Sequence, residues 1–176
     1  TEFDKILMKV QKPTRYTGGE LNCVMKDPSS VDVRFGFCFP DVYEIAMSHL
    51  GLKIIYHTLN NREDTYCERV FAPWDDMEQE MRNHGMRLFA LETGDEVTHF
   101  DMLGFTLQYE LSYTNVLNML DLAGLPIKAA DRKELTPIVI AGGSCVCNPE
   151  PMSEFIDIFL PGEGEEEFAE LCDFLK

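Results

Sequence analysis

The chain has 176 residues, the length of one domain and enough to bury a core. Its net charge of −16 at pH 7 repels phosphate backbones and anionic lipid, which sets aside nucleic-acid and membrane-surface roles. No apolar run approaches the roughly 20 residues of a membrane span, and Thr1–Val10 is patterned as an amphipathic helix, not as a signal peptide.

Phe3, Ile6, Leu7 and Val10 repeat at helical spacing. Pro13, Gly18 and Gly19 then break the pattern into an extended arm. Lys9, Lys12 and Arg15 form a basic cluster there, read as cations paired to the acidic surface, with a docking or anion contact as the alternative. Val31–Phe39 reads as the first strand. Asp41 and Glu44 suggest a capping box, so a short helical turn is expected over Tyr43–Met47. Ser48 is a second cap candidate, before a helix carrying Leu52, Ile55, Tyr56 and Leu59 and ending at Asn60–Asn61. Thr65–Phe71 is the second strand. A helix follows Pro73, with Asp75 and Asp76 in its first turn, an apolar face of Trp74, Met77 and Met81, and Gly85 as terminator.

Met86–Leu91 reads as a short extra edge strand, and Asp101–Leu107 as a strongly apolar one. A helix over VLNMLDLA closes at Gly124 and Pro126. Pro137–Ala141 is short, continuous and β-branched, as a strand buried on both faces would be. Ile156–Leu160 is the last strand, and Gly162–Gly164 turns into a final helix with Phe168, Leu171, Cys172 and Leu175 on one face. This alternation calls for an open, mostly parallel α/β sheet with helices on both faces. Residues 1–30 are a helix and arm packed on a domain of residues 31–176. The chain stops at its last helix, as a domain cut from a longer protein would.

In open α/β sheets ligands bind outside the carboxyl ends of the strands, where strand order reverses. Val31–Gly51 should therefore line a site, with Pro40–Ser48 as a long lid. Gly142-Gly143-Ser144 ends a central strand, where the backbone can approach a ligand or merely turn. Gly162-Glu163-Gly164-Glu165 lacks the third glycine of a dinucleotide loop, and Glu163, Glu165, Glu166 and Glu167 would repel a diphosphate. His49 lies beside the expected crevice, where packing or capping is the commoner role for a histidine. Gln108, Tyr109, Glu110, Ser112, Tyr113 and Asn115 form a polar and aromatic cluster that suits specificity groups over an apolar pocket, or helix capping. Six cysteines, at 23, 38, 67, 145, 147 and 172, read as free thiols of a reducing cytoplasm. Cys145-x-Cys147 lacks the further ligands of a zinc site. The loops suit neither a flavin phosphate nor a phosphotransfer receiver.

VQKPTRY, FPDVYEIAMSHLGLKIIYHTLN, CERVFAPWDDME, GFTLQYELSYTNVLNMLDLAG, IAGGSCVCNPEP and PGEGEEEF together resemble the amino-terminal region of a bacterial radical SAM protein family. The resemblance covers nearly the whole chain and implies a flavodoxin-like, cobalamin-binding-like domain ahead of a radical SAM barrel. That C-terminal barrel would be the partner within the same protein, holding a [4Fe–4S] cluster through Cys-x3-Cys-x2-Cys and cleaving S-adenosylmethionine. The cysteine motif is absent here, so the radical chemistry is expected outside this chain and no metal site is assigned to it.

Familiar cobalamin domains carry Asp-x-His-x-x-Gly, Ser-x-Leu and Gly-Gly. Here Ser48-His49-Leu50-Gly51 stands near the first motif with different spacing, Thr106-Leu107-Gln108 stands near the second in altered form, and Gly142-Gly143 matches the third. Gly162-Glu163-Gly164 matches the run that ends such domains in cobalamin-type radical SAM proteins. The resemblance implies cobalamin bound base-off without a protein histidine, another flat small-molecule ligand, or a gate on substrate access. The alternative is a ligand-free docking domain. A free-standing enzyme using Cys145 or Cys147 is a third reading.

Overall fold

In the computed structural model five parallel strands form one sheet in the order β2-β1-β3-β4-β5. The structure describes residues 1–134 and 136–176, and of Glu165 the backbone alone. The strands are β1 (Val33–Phe39), β2 (Thr65–Phe71), β3 (Met102–Thr106), β4 (Ile138–Gly142) and β5 (Ile158–Phe159). The helices are α1 (Glu2–Leu7), α2 (Tyr43–Ser48), α3 (Leu50–Asn60), α4 (Asp75–His84), α5 (Tyr113–Ala123) and α6 (Gly164–Phe174). The chain steps from β1 outward to β2, then returns to β3 on the other side of β1, so the switch point lies between β1 and β3. This is the flavodoxin-like order.

Alternation along the strands divides the core in two. Val33, Phe35, Phe37 and Phe39 of β1 pack with Leu52, Tyr56 and Leu59 of α3 and Phe168 and Cys172 of α6. On the other face Cys38, Val70, Leu103, Phe105, Val139 and Ala141 pack with Met77 and Met81 of α4, Val116, Met119 and Leu120 of α5, and Ile6 of α1. Gly104 is required by packing, because a Cβ there would lie 2.4 Å from the Phe35 ring. Burial pushes the Cys38 and Cys67 thiols upward and Cys172 up to about 11, so these three behave as inert small hydrophobes.

The structure corrects several local readings. The Asp41–Glu44 capping box does not form: Val42 is the α2 N-cap, and Asp41 Oδ1 instead accepts the Val42 N–H at 2.7 Å. Ser48 does not cap α3; its hydroxyl donates to the Ile45 carbonyl, and His49 takes the cap. Trp74 lies half exposed under the Arg15 guanidinium (5.3 Å to the ring) instead of on the buried face of α4. The expected edge strand at Met86–Leu91 is reduced to a single antiparallel bridge, Phe89 to Glu96. The reason lies at the β2 edge. Leu91 N–H reaches the Arg69 carbonyl at 2.8 Å, but the next contact comes from a side chain, with Glu92 Oε2 accepting the Arg69 N–H at 2.7 Å. Thr93 N–H then bonds Glu68 Oε2 at 3.2 Å. The edge is sealed by carboxylates where a ladder would have continued.

The same place secures the arm. Arg69 is buried between Glu92 (2.5 Å) and Glu20 of the arm (3.0 Å), with its guanidinium over the Tyr56 ring. Lys9 pairs with Glu80, and Lys12 and Arg15 pair with Glu44, so the basic cluster is engaged by the acidic surface as expected.

Two outcomes follow from these contacts. Arg69→Met leaves the Glu92 carboxylate buried and unpaired, and urea denaturation should show a loss of about 3–5 kcal/mol. The Glu44 carboxyl is pushed up by partial desolvation, but hydrogen bonds from Lys12 and Arg15 outweigh this and hold it at about 2. Its folded value is depressed, so the tether is complete above about 4.5, the ordinary glutamate value, and is lost as pH falls through about 2. The chain has one tryptophan, Trp74, beneath Arg15, so its fluorescence should report that acid transition, and Glu44→Gln should abolish it.

Candidate functional site

A cleft of about 130 Å³ opens at the carboxyl ends of β1, β3, β4 and β5, on the face covered by α3 and α6. Its apolar walls are Phe37, Ile55, Leu160 and Phe168; Phe105 also borders it, but its ring packs in the opposite core. Its floor and rim carry His49, Gly51, Thr106, Gln108, Gly142, Gly143, Gly162 and Gly164. Eight of the twelve residues singled out in the sequence thus come together. The other four do not. Ser48 is exposed at the end of α2. Leu107 is buried in the opposite core, donating its N–H to the Gly142 carbonyl at 2.7 Å. Ser144 is exposed, with its hydroxyl on the Gln108 carbonyl, and Glu163 is the exposed N-cap residue of α6. The four apolar wall residues escaped motif reading. The available signal was their position on strand ends or at the helical period of α3 and α6.

The polar chemistry is sparse. Gln108 Nε2 donates to Thr106 Oγ1 at 2.5 Å. His49 Nδ1 accepts the Leu52 N–H at 3.3 Å, capping α3, and its ring tilts against Phe39 at 5.1 Å. No Asp, Glu, Lys or Arg lines the cleft among the described residues.

The glycines differ in meaning. Gly143 has φ of +98°, and a Cβ there would meet Leu107 O and Gln108 Nε2 at 2.9 Å, so its backbone and packing both demand glycine. Gly142 is under neither demand: its Cβ would lie 3.8 Å from Phe168, in ordinary contact, and would enter the cleft. At the rim Glu167 folds over Gly162, and its Oε2 is buried without a hydrogen-bond partner.

The polar and aromatic cluster after β3 is split. Gln108 reaches the cleft, but Tyr109 donates to Asp41, and Asn115 Nδ2 donates to the Pro40 carbonyl at 2.9 Å. These bonds pin the loops after β1 and β3 together across the switch point. Pro40–Ser48 therefore does not form a lid on this cleft, since none of its residues lines it. Cys145 is half-buried and Cys147 exposed, and no three metal-ligating side chains converge among the described residues.

The cleft lies at the carboxyl edge of a doubly wound sheet, the place where ligands bind in open α/β folds. Residues 51–176 match the family described as "Radical SAM proteins, N-terminal", and the chain belongs to it. It is also 35% identical over 85 residues to the uncharacterized protein MJ0966 of Methanocaldococcus jannaschii; the match covers 48% of this chain and 18% of that protein. No described helix is long and apolar enough to cross a membrane.

The cap on α3 can be tested directly. His49→Ala should cost about 0.5–2 kcal/mol in urea denaturation, and His49→Asn, which restores a capping oxygen, should recover most of it.

Proposed function

We propose that this chain is the accessory domain of a radical SAM enzyme, and that its cleft receives a flat, uncharged ring system such as that on the nucleotide tail of base-off cobalamin. The [4Fe–4S] cluster and S-adenosylmethionine belong, on this reading, to a C-terminal domain of the same protein, and this chain is not itself catalytic. The observation that carries the reading is Gly142, a glycine at the end of an inner strand that neither backbone nor packing requires and where an added side chain would enter the cleft.

The fit is selective. A corrin with a protein histidine under its cobalt does not match, because ligation through either His49 nitrogen would cost the Leu52 N–H bond to Nδ1 that caps α3. A ring held by shape matches better: Phe37, Ile55, Leu160 and Phe168 supply apolar walls, and Thr106, Gln108 and His49 supply hydrogen-bonding groups. The unpartnered Glu167 Oε2 calls for an N–H donor, which the primary amides around a corrin provide. At about 130 Å³ the cleft is smaller than the roughly 300 Å³ at which whole-ligand sites begin, so most of such a ligand would lie outside the sheet edge. The residues would then orient the ligand and exclude water from one part of it.

Titration of the purified protein with hydroxocobalamin should change the corrin absorbance and release or absorb heat. Gly142→Val should weaken binding at least tenfold while leaving the melting temperature in place. Silence in both signals at high micromolar ligand would overturn the reading.

A further inference from the structure

We propose that the carboxyl edge of the sheet around the β1 and β3 loops is the surface on which this domain meets the radical SAM domain of the same protein, turning the open cleft into a cavity between two domains. The proposal rests on family membership and not on the identity of the ligand.

Four large apolar side chains crowd this edge: Leu111 is 87% exposed, Leu50 69%, Ile45 49% and Tyr109 39%. Single exposed hydrophobics need no explanation, but a contiguous patch does. The pinned loops bring the segments that carry these residues side by side. The Tyr109–Asp41 and Asn115–Pro40 hydrogen bonds hold the turn carrying Leu111 beside the segment that leads into α2. Glu44, on the same helix as Ile45, is held from the arm by Lys12 and Arg15. The patch is therefore a fixed surface. It also borders the cleft on two sides: His49 of the cleft directly precedes Leu50, and Gln108 directly precedes Tyr109.

Charge selects the occupant. Glu110, Glu163 and Glu166 stand exposed on the same edge and outnumber Lys53 in the first turn of α3, while Lys12 and Arg15 of the arm are already engaged by Glu44. A second copy of this chain, itself at −16, would set carboxylates against carboxylates. A different domain with an apolar centre and a basic rim fits. The family places this domain at the N-terminal side of radical SAM proteins, and the match spans only 18% of the archaeal relative, so such proteins carry a large further region able to cover the edge.

Hydrogen exchange on the full-length protein tests this. Segments 43–50 and 108–112 should be protected, and the double variant Ile45→Glu, Leu111→Glu should raise their exchange at least tenfold and enlarge the radius of gyration in X-ray scattering. Leu21→Glu with Met25→Glu, on the exposed arm, is the matched control and should change neither. Both variants alter exposed positions, and circular dichroism with the single Leu111→Glu variant separates undocking from misfolding. Unprotected segments in the parent protein, unchanged exchange in the double variant, an equal response in the control or a dimer joined through this edge would each overturn the proposal. Failure of cobalamin to bind while these segments stay protected would overturn the ligand reading alone.

Discussion

Arg69 carries a full charge in a place with almost no water. A guanidinium so desolvated must be paired, because removing its partners leaves several kcal/mol of uncompensated charge. Its partners come from opposite ends of the first hundred residues: Glu20 from the arm and Glu92 from the segment beyond α4. Tyr56 of α3 lies under its plane, and Met47 of α2 is within 3.1 Å of its Nη1. One charge thus fixes the arm, the outer edge of β2 and the seating of two helices. Burial pushes the Glu92 carboxyl upward against the pull of Arg69, so the cluster stays balanced only while both are in place.

With the β2 edge closed, the open chemistry of the molecule is concentrated at the carboxyl ends of the inner strands. There the same arrangement serves two ends. The β1 and β3 loops are tied across the switch point, which displaces the accessible cleft toward the face of α3 and α6. No charged side chain lines the cleft among the described residues although the protein is strongly acidic: Glu163 and Glu166 stand exposed, and Glu167 folds over Gly162 at the rim. An apolar slot set in an acidic surface is a poor place for an anion, because the surrounding carboxylates repel it. Diphosphate recognition, set aside from the glutamates after β5, is disfavoured by the same feature.

Much of the fold was legible because period and turn chemistry are local. Thr65–Phe71 was read to the residue, and Gly85 and Gly124 end their helices with φ of +64° and +73°. The site was legible where it rests on strand ends and glycines: Thr106, Gln108, Gly142, Gly143, Gly162 and Gly164 do meet. It was not legible where a role depends on what approaches from afar. Ser48 and Asp41 have the chemistry of caps, but an extended residue between two helices, His49 with ψ of 123°, moved the cap one position on. Met86–Leu91 has the pattern of a strand, and only the presence of Glu92 and Glu68 at the β2 edge replaced ladder bonds with side-chain bonds.

The sequence by itself determined the alternation of strands and helices, the parallel sheet, the cations of the arm and the glycines at the strand ends, because these follow from side-chain period, backbone freedom and charge within a few residues. The tertiary structure alone decided that Phe37, Ile55, Leu160 and Phe168 face one cleft, that His49 is a cap with its Nδ1 lone pair spent, and that Gly142 is free of packing demands while Gly143 is not. Those outcomes depend on which atoms, distant in the chain, come within a few ångströms of one another, and no local pattern encodes that.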